Sequence, residues 1–129
     1  MDAAKPKKIF IVDDDEMLTE ALKDYITRKV PHEVSTYSTG EECLQHLDKK
    51  PDIVILDYYL NTVHKDAANG MEILQNVKKE LPDTHIIMLS SQEHYGIAMQ
   101  TIIKGAEQYI IKDEDAFEKV AEMITAIEE

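Results

Sequence analysis

Apolar residues fall in short runs along this chain, and the stretches between them carry apolar positions at helical spacing. The first run, Ile9-Phe10-Ile11-Val12, is β-rich and stops at Asp13-Asp14-Asp15. Behind it, Leu18, Ala21, Leu22, Tyr25 and Ile26 share one helical face, and the pattern ends before Pro31. Val34-Ser35-Thr36-Tyr37 alternates as a half-buried strand does. Ser38 or Thr39 then caps a helix, with Glu41 or Glu42 three residues on as a capping box and Cys43, Leu44 and Leu47 inward. Ile53-Val54-Ile55-Leu56 is apolar throughout, which predicts a strand covered on both faces, and it ends at Asp57. A polar loop follows from about Tyr58 to Asn69. Gly70 leads into a helix with Ile73, Leu74, Val77 and Leu81 on its buried side, closed by Pro82. Ile86-Ile87-Met88-Leu89 is another apolar strand, ending at Ser90-Ser91. A helix carrying Ile97, Ala98, Ile102 and Ile103 stops at Gly105, suited to a left-handed C-cap. Tyr109-Ile110-Ile111 forms the fifth strand and Lys112-Asp113 closes it. The last helix buries Phe117, Val120, Ala121, Ile124 and Ile127.

Strand and helix thus alternate five times, which predicts an α/β fold: a three-layer, doubly wound parallel sheet with helices on both faces. Right-handed crossovers leave few topologies, of which 2-1-3-4-5 is the common five-stranded order. Ligands of such sheets bind beyond the carboxyl ends of the strands, at the switch point between strands 1 and 3. The residues that end each strand therefore carry the chemistry.

Composition narrows the setting. The 129 residues suit one domain spanning 1–129, with 43% hydrophobic and 31% charged residues. A formal charge of −12 repels phosphate backbones and anionic headgroups, so neither direct nucleic-acid binding nor membrane association is expected. Cys43 is the single cysteine, and no Cys/His metal spacing occurs; the five histidines show no ligand pattern either, His64 included. No apolar run is long enough to span a bilayer, and the start lacks a signal-peptide core. These features fit a cytoplasmic setting.

Strand 1 ends in Asp13, Asp14 and Asp15, strand 3 in Asp57, strand 4 in Ser90 and Ser91, and strand 5 in Lys112. The fold gathers these into one cleft. Two like charges about 4 Å apart repel by about 4 kcal/mol at an effective dielectric near 20. Clustered carboxylates therefore need raised pKa values or a cation. Mg²⁺ suits such a site, because it takes one or two carboxylates together with water and phosphate oxygens. Lys112 adds a point charge for phosphate, and Ser90 a hydroxyl donor. A nucleophilic carboxylate, a metal and a lysine are the parts of in-line phosphoryl transfer to aspartate. Taken singly, each has a plainer reading. Three acids opening a helix favour its dipole, a role left to Asp15 and Glu16. Ser90 can bond its own backbone, Tyr109 can be a core aromatic, and Lys112 a solvated lysine.

With these motifs in place, the chain resembles a response-regulator receiver domain of two-component signalling, over about residues 7–128. The resemblance rests on Ile11-Val12-Asp13-Asp14-Asp15, Ile55-Leu56-Asp57, Met88-Leu89-Ser90-Ser91 and Tyr109-Ile110-Ile111-Lys112 at successive strand ends. It implies a flavodoxin-like sheet and a signalling switch that turns over no external metabolite. Asp57 would accept a phosphoryl group from the phosphohistidine of a sensor histidine kinase or histidine phosphotransfer protein. Asp13, Asp14, Asp57 and the backbone carbonyl of Tyr59 would hold Mg²⁺ or Mn²⁺. Ser90 and Lys112 would contact the phosphoryl oxygens, and Ser90 with Tyr109 would switch the face built by the fourth helix, fifth strand and fifth helix. That face also serves dimerisation in such domains. The acyl-phosphate lifetime would depend partly on Tyr59, whose bulk hinders attacking water, and on Gln92.

Three positions depart from the family pattern. Asn61 replaces a proline, and the helix-opening Gly70 comes late after Asp57, which implies an inserted loop over Thr62–Asn69. Lys112-Asp113 replaces a Lys-Pro normally joined by a cis bond. A cis bond before a non-proline costs about 3–4 kcal/mol, so either a trans bond with a shifted loop or a strained cis bond is expected. Two other functions compete. A receiver-like interaction module would signal without phosphorylation. A haloacid-dehalogenase-type phosphatase would use Asp13 and Asp15, but leaves no room for a cap domain. A stand-alone receiver and one cut from a longer regulator both fit the sequence.

Overall fold

A computed structural model describes residues 5–28, 30–60, 69–91 and 94–127. The first apolar run forms β1 (Lys8–Val12), followed by α1 (Glu16–Thr27), β2 (Glu33–Tyr37) and α2 (Gly40–Gln45). A short 3-10 turn at Leu47–Lys49 leads to β3 (Ile53–Asp57). Then come α3 (Gly70–Glu80), β4 (His85–Ser90), α4 (Tyr95–Ile103), β5 (Gln108–Ile111) and α5 (Ala116–Ala126). The strands pair in the order β2-β1-β3-β4-β5, all parallel, as expected. Strands β2, β4 and β5 each start before their apolar runs, because backbone pairing continues through polar residues such as Glu33, His85 and Gln108.

Alternation along the central strands divides the interior into two cores. Phe10, Val12, Val54, Leu56, Ile86 and Met88 face Cys43, Ile73, Leu74 and Val77 of α2 and α3. Ile9, Ile11, Ile53, Ile55, Ile87 and Leu89 face Leu22, Ile26, Val120 and Ile124 of α1 and α5. Each fully buried side chain of this kind contributes about 1.5–3 kcal/mol. The predicted face of α1 is rotated. Ala21 and Tyr25 are exposed, and the buried side of α1 instead holds Thr19, whose hydroxyl donates to the Glu16 carbonyl. On α4, Ile102 and Ile103 are 43% and 68% exposed. The buried residue of α4 is Thr101, whose hydroxyl donates to the Ala98 carbonyl at 2.8 Å. Bonding back to the helix satisfies a threonine hydroxyl and lets it enter an apolar interface.

The caps follow sequence more closely. Thr39, rather than Ser38, caps α2, and Glu42 reaches back to the Ser38 backbone N–H and hydroxyl. Asn69 and Glu72 form a reciprocal capping box on α3, although the sequence reading placed Asn69 at the end of a loop. Gly105 has φ of 119°, the positive value expected at the end of α4. Among the described residues every peptide bond is trans, so Lys112-Asp113 takes the trans form. Asn61, His64, Gln92 and all of the proposed insertion but Asn69 lie outside the described residues.

Candidate functional site

Strands β1, β3, β4 and β5 end side by side, so parallel pairing delivers Asp13, Asp57, Ser90 and Lys112 to one edge of the sheet. Asp13 and Asp57 are 2% and 3% exposed and Ser90 is fully buried. The Lys112 Nζ stands 2.8 Å from Asp13 Oδ2 and 3.4 Å from Asp57 Oδ1. Asp13 Oδ1 accepts the Asp15 backbone N–H at 2.9 Å, and Asp57 Oδ1 accepts that of Tyr59 at 3.2 Å. Asp15 opens α1 by capping Leu18 N–H, the helix-terminal role that sequence assigned it.

The electrostatics follow from burial. The Asp57 carboxyl is pushed up to about 7, first by desolvation and then by the charge of Asp13, while Lys112 and the Tyr59 N–H pull it down. For Lys112, burial acts to lower the ammonium pKa, but contact with Asp13 and Asp57 outweighs it and the net shift is upward. Tyr109 is half-buried and shares a side-chain hydrogen bond with Ser90; desolvation raises its phenol pKa against that bond. Tyr58 and Tyr59 meet edge to face at 4.9 Å beside Asp57.

Among the described residues, Asp13, Asp14 and Asp57 place one carboxylate oxygen each within 4.8 Å of one another. The donor set fits a hard, oxygen-liganded cation. One observation besides composition supports the fit. Asp13 Oδ2 is buried and meets the Lys112 ammonium at 2.8 Å, with no further hydrogen-bond donor on it among the described residues.

One contributor was missed in sequence. Gly70 donates its N–H to the Tyr58 carbonyl at 2.8 Å, which brings the start of α3 against the backbone of Asp57. A methyl group at Gly70 would stand 2.6 Å from both the Asp57 carbonyl oxygen and Tyr58 Cα, closer than such atoms pack. The Asn69-Gly70 pair marks a turn into a helix, but nothing in the sequence says what the glycine faces.

The family model of the response regulator receiver domain matches residues 9–125. The chain belongs to that family. The receiver is 32% identical over 108 residues to the chemotaxis protein CheY of Thermotoga maritima, covering 82% of this chain and 85% of that one. The probable C4-dicarboxylate response regulator DctR of Bacillus subtilis is 30% identical over 112 residues, 85% of this chain and 47% of DctR. This receiver thus spans about half the length of DctR. Among solved structures, the response regulator domain of Thermotoga maritima CheB superposes with a TM-score of 0.75 at 26% identity, covering 93% and 91% of the two chains. The BeF3-activated receiver domain of DrrB gives 0.80 at 24% identity, covering 94% and 96%, and shares the fold. The family is one of signalling domains rather than metabolic enzymes. Among the described residues no helix is long and apolar enough to cross a membrane.

Proposed function

We propose that Asp57 is the phosphoacceptor of a two-component phosphorelay, receiving its phosphoryl group from the phosphohistidine of a sensor histidine kinase or histidine phosphotransfer protein. The observation that carries this reading is the convergence of three carboxylates within 4.8 Å of one another, two of which, Asp13 and Asp57, are paired with the half-buried ammonium of Lys112. A carboxylate oxygen of Asp57 bonds to phosphorus as the P–N bond breaks, and the electron pair of that bond returns to the donor imidazole, which takes up a proton. The reacting form is the carboxylate. With a pKa of about 7 the group is only partly ionised at neutral pH, and Lys112 favours the ionised form. Once the phosphoryl group is in place, Lys112 and the Ser90 hydroxyl hold its oxygens. Asp13, Asp14, Asp57 and the backbone carbonyl of Tyr59 are the groups that would hold Mg²⁺ or Mn²⁺. When bound, the ion supplies charge neutralisation at the transferring group.

Signalling follows from the Ser90–Tyr109 bond. A Ser90 hydroxyl engaged with phosphoryl oxygens releases the phenol of Tyr109, which stands on β5, the central element of the α4–β5–α5 face. That face carries exposed Tyr95, Met99, Ile102 and Ile103, an apolar surface for an output partner or a second copy of the domain. Direct nucleic-acid binding is not part of this role, given the charge of −12.

Incubation with Mg²⁺ and acetyl phosphate, followed by intact-mass measurement, tests the assignment. One phosphoryl adduct is expected on the wild type and none on Asp57→Asn. If neither protein gains mass, the phosphorylation-independent module is the better reading; an adduct that survives the substitution moves the acceptor elsewhere.

A further inference from the structure

Lys112 reaches the site from a turn that no proline shapes, and the hydrogen bonds of that turn centre on its neighbour. We propose that Asp113 is a positioning residue whose carboxylate builds the turn that aims the Lys112 ammonium between Asp13 and Asp57. The inference rests on the role given to Lys112 above. The Lys112 backbone N–H donates to the Ser90 carbonyl at 2.7 Å, which fixes the residue against β4. Just beyond, the Asp113 N–H donates to the Ile111 carbonyl at 2.8 Å, and the Asp113 carbonyl accepts the Ala116 N–H at 3.1 Å. Asp113 Oδ1 accepts the Asp115 N–H at 2.9 Å, an Asx turn. Asp113 Oδ2 lies 3.5 Å from Lys119 Nζ on α5.

These contacts divide the labour. Asp115 stands at the N-cap of α5 but makes no side-chain cap bond, so the carboxylate that ties down this helix start is that of Asp113, two residues earlier. The Lys112 side chain is a flexible four-carbon stem, yet it is only 16% exposed and holds one geometry between two buried carboxylates. Its backbone is clamped on one side by Ser90 and on the other by the Asp113 turn. The ion pair to Lys119 joins two half-exposed side chains and adds little. The turn bond is therefore what matters, and an asparagine, which also accepts the Asp115 N–H, should serve in its place.

The experiment measures the rate of phosphorylation by acetyl phosphate with Mg²⁺ in six proteins: wild type, Asp113→Asn, Asp113→Ala, Lys119→Gln, Lys112→Ala and the double variant Lys112→Ala/Asp113→Ala. Circular dichroism and thermal melting establish that each is folded. Misplacing the ammonium in Asp113→Ala should slow the reaction about tenfold. Asp113→Asn and Lys119→Gln should stay within about twofold of wild type, and Asp113→Ala should cost nothing further once Lys112 is gone, as expected for residues acting through one group. A wild-type rate in Asp113→Ala overturns the proposal. So does an equal slowing of the Lys112→Ala background, which would mark a general structural effect. A wild-type rate in Lys112→Ala instead overturns the reading of the site itself and takes this proposal with it, so the two failures show in different proteins.

Discussion

Asp57 is nearly inaccessible, and burial followed by the charge of Asp13 lifts its pKa to about 7 against the pull of Lys112 and the Tyr59 N–H. The folded protein therefore holds this proton more tightly than the unfolded chain, in which the carboxyl titrates near 3.8. A group shifted this way contributes stability that is complete below about pH 4 and lost as pH rises through about 7. In EDTA, denaturant melts between pH 4 and 8 should show the wild type losing ground to Asp57→Asn, which becomes the more stable by about 1–3 kcal/mol at pH 8. A gap that does not change with pH would contradict the raised value. His32 works in the opposite sense. Its Nδ1 accepts the Lys7 N–H at 2.9 Å, and burial with the Lys7 charge lowers its pKa, so its contribution is present above about 6.5 and lost as pH falls. The crowding of carboxylates already called for a raised pKa or a cation, but the shift of His32 was not legible in sequence, because it depends on burial and on the approach of Lys7. The residue types were: Asp13, Asp57, Ser90 and Lys112 each stand where an apolar run stops.

At the scale of elements, the start of α3 matters most for the site. Asn69 caps the helix reciprocally with Glu72, and the next residue, Gly70, is bonded to the backbone beside Asp57. Asn69→Ala should lower stability by about 1 kcal/mol in urea melts; an unchanged midpoint would mean that other bonds already hold the helix start. Element identities and strand order were readable, since unbroken apolar runs and helical spacing differ in period. Faces were less so. Threonine reads as polar in sequence, yet Thr101 with its self-satisfied hydroxyl takes the buried position of α4. The reading of Lys112-Asp113 left cis and trans open. The bond is trans, with an Asx turn at Asp113. Asp113-Glu114-Asp115 before a helix is a turn signal visible in the sequence.

At the scale of the whole molecule, a net charge of −12 and a buried acidic cluster act together. Millimolar Mg²⁺ should raise the melting temperature by about 3–8 °C, more than NaCl at equal ionic strength, because a ligand bound only by the folded state stabilises it by mass action. Asp13→Asn should abolish the difference between the two salts; equal shifts in wild type would mean screening alone. The doubly wound plan was legible from the fivefold alternation, and with it the edge at which the site had to form. How closely the parts meet was not, since Gly70 shows its neighbour only after the chain has folded back.

The same close approach makes this receiver a candidate for redesign. The Tyr58 N–H is held by the Leu89 carbonyl, Leu60 is fully buried, and Gly70 returns to the Tyr58 carbonyl, so the chain is anchored on both sides of the segment between Leu60 and Gly70. A library of sequences grafted between Leu60 and Asn69 would keep both anchors, the α3 cap and Asp57 unchanged. Insulating an engineered signalling circuit from its host could begin there.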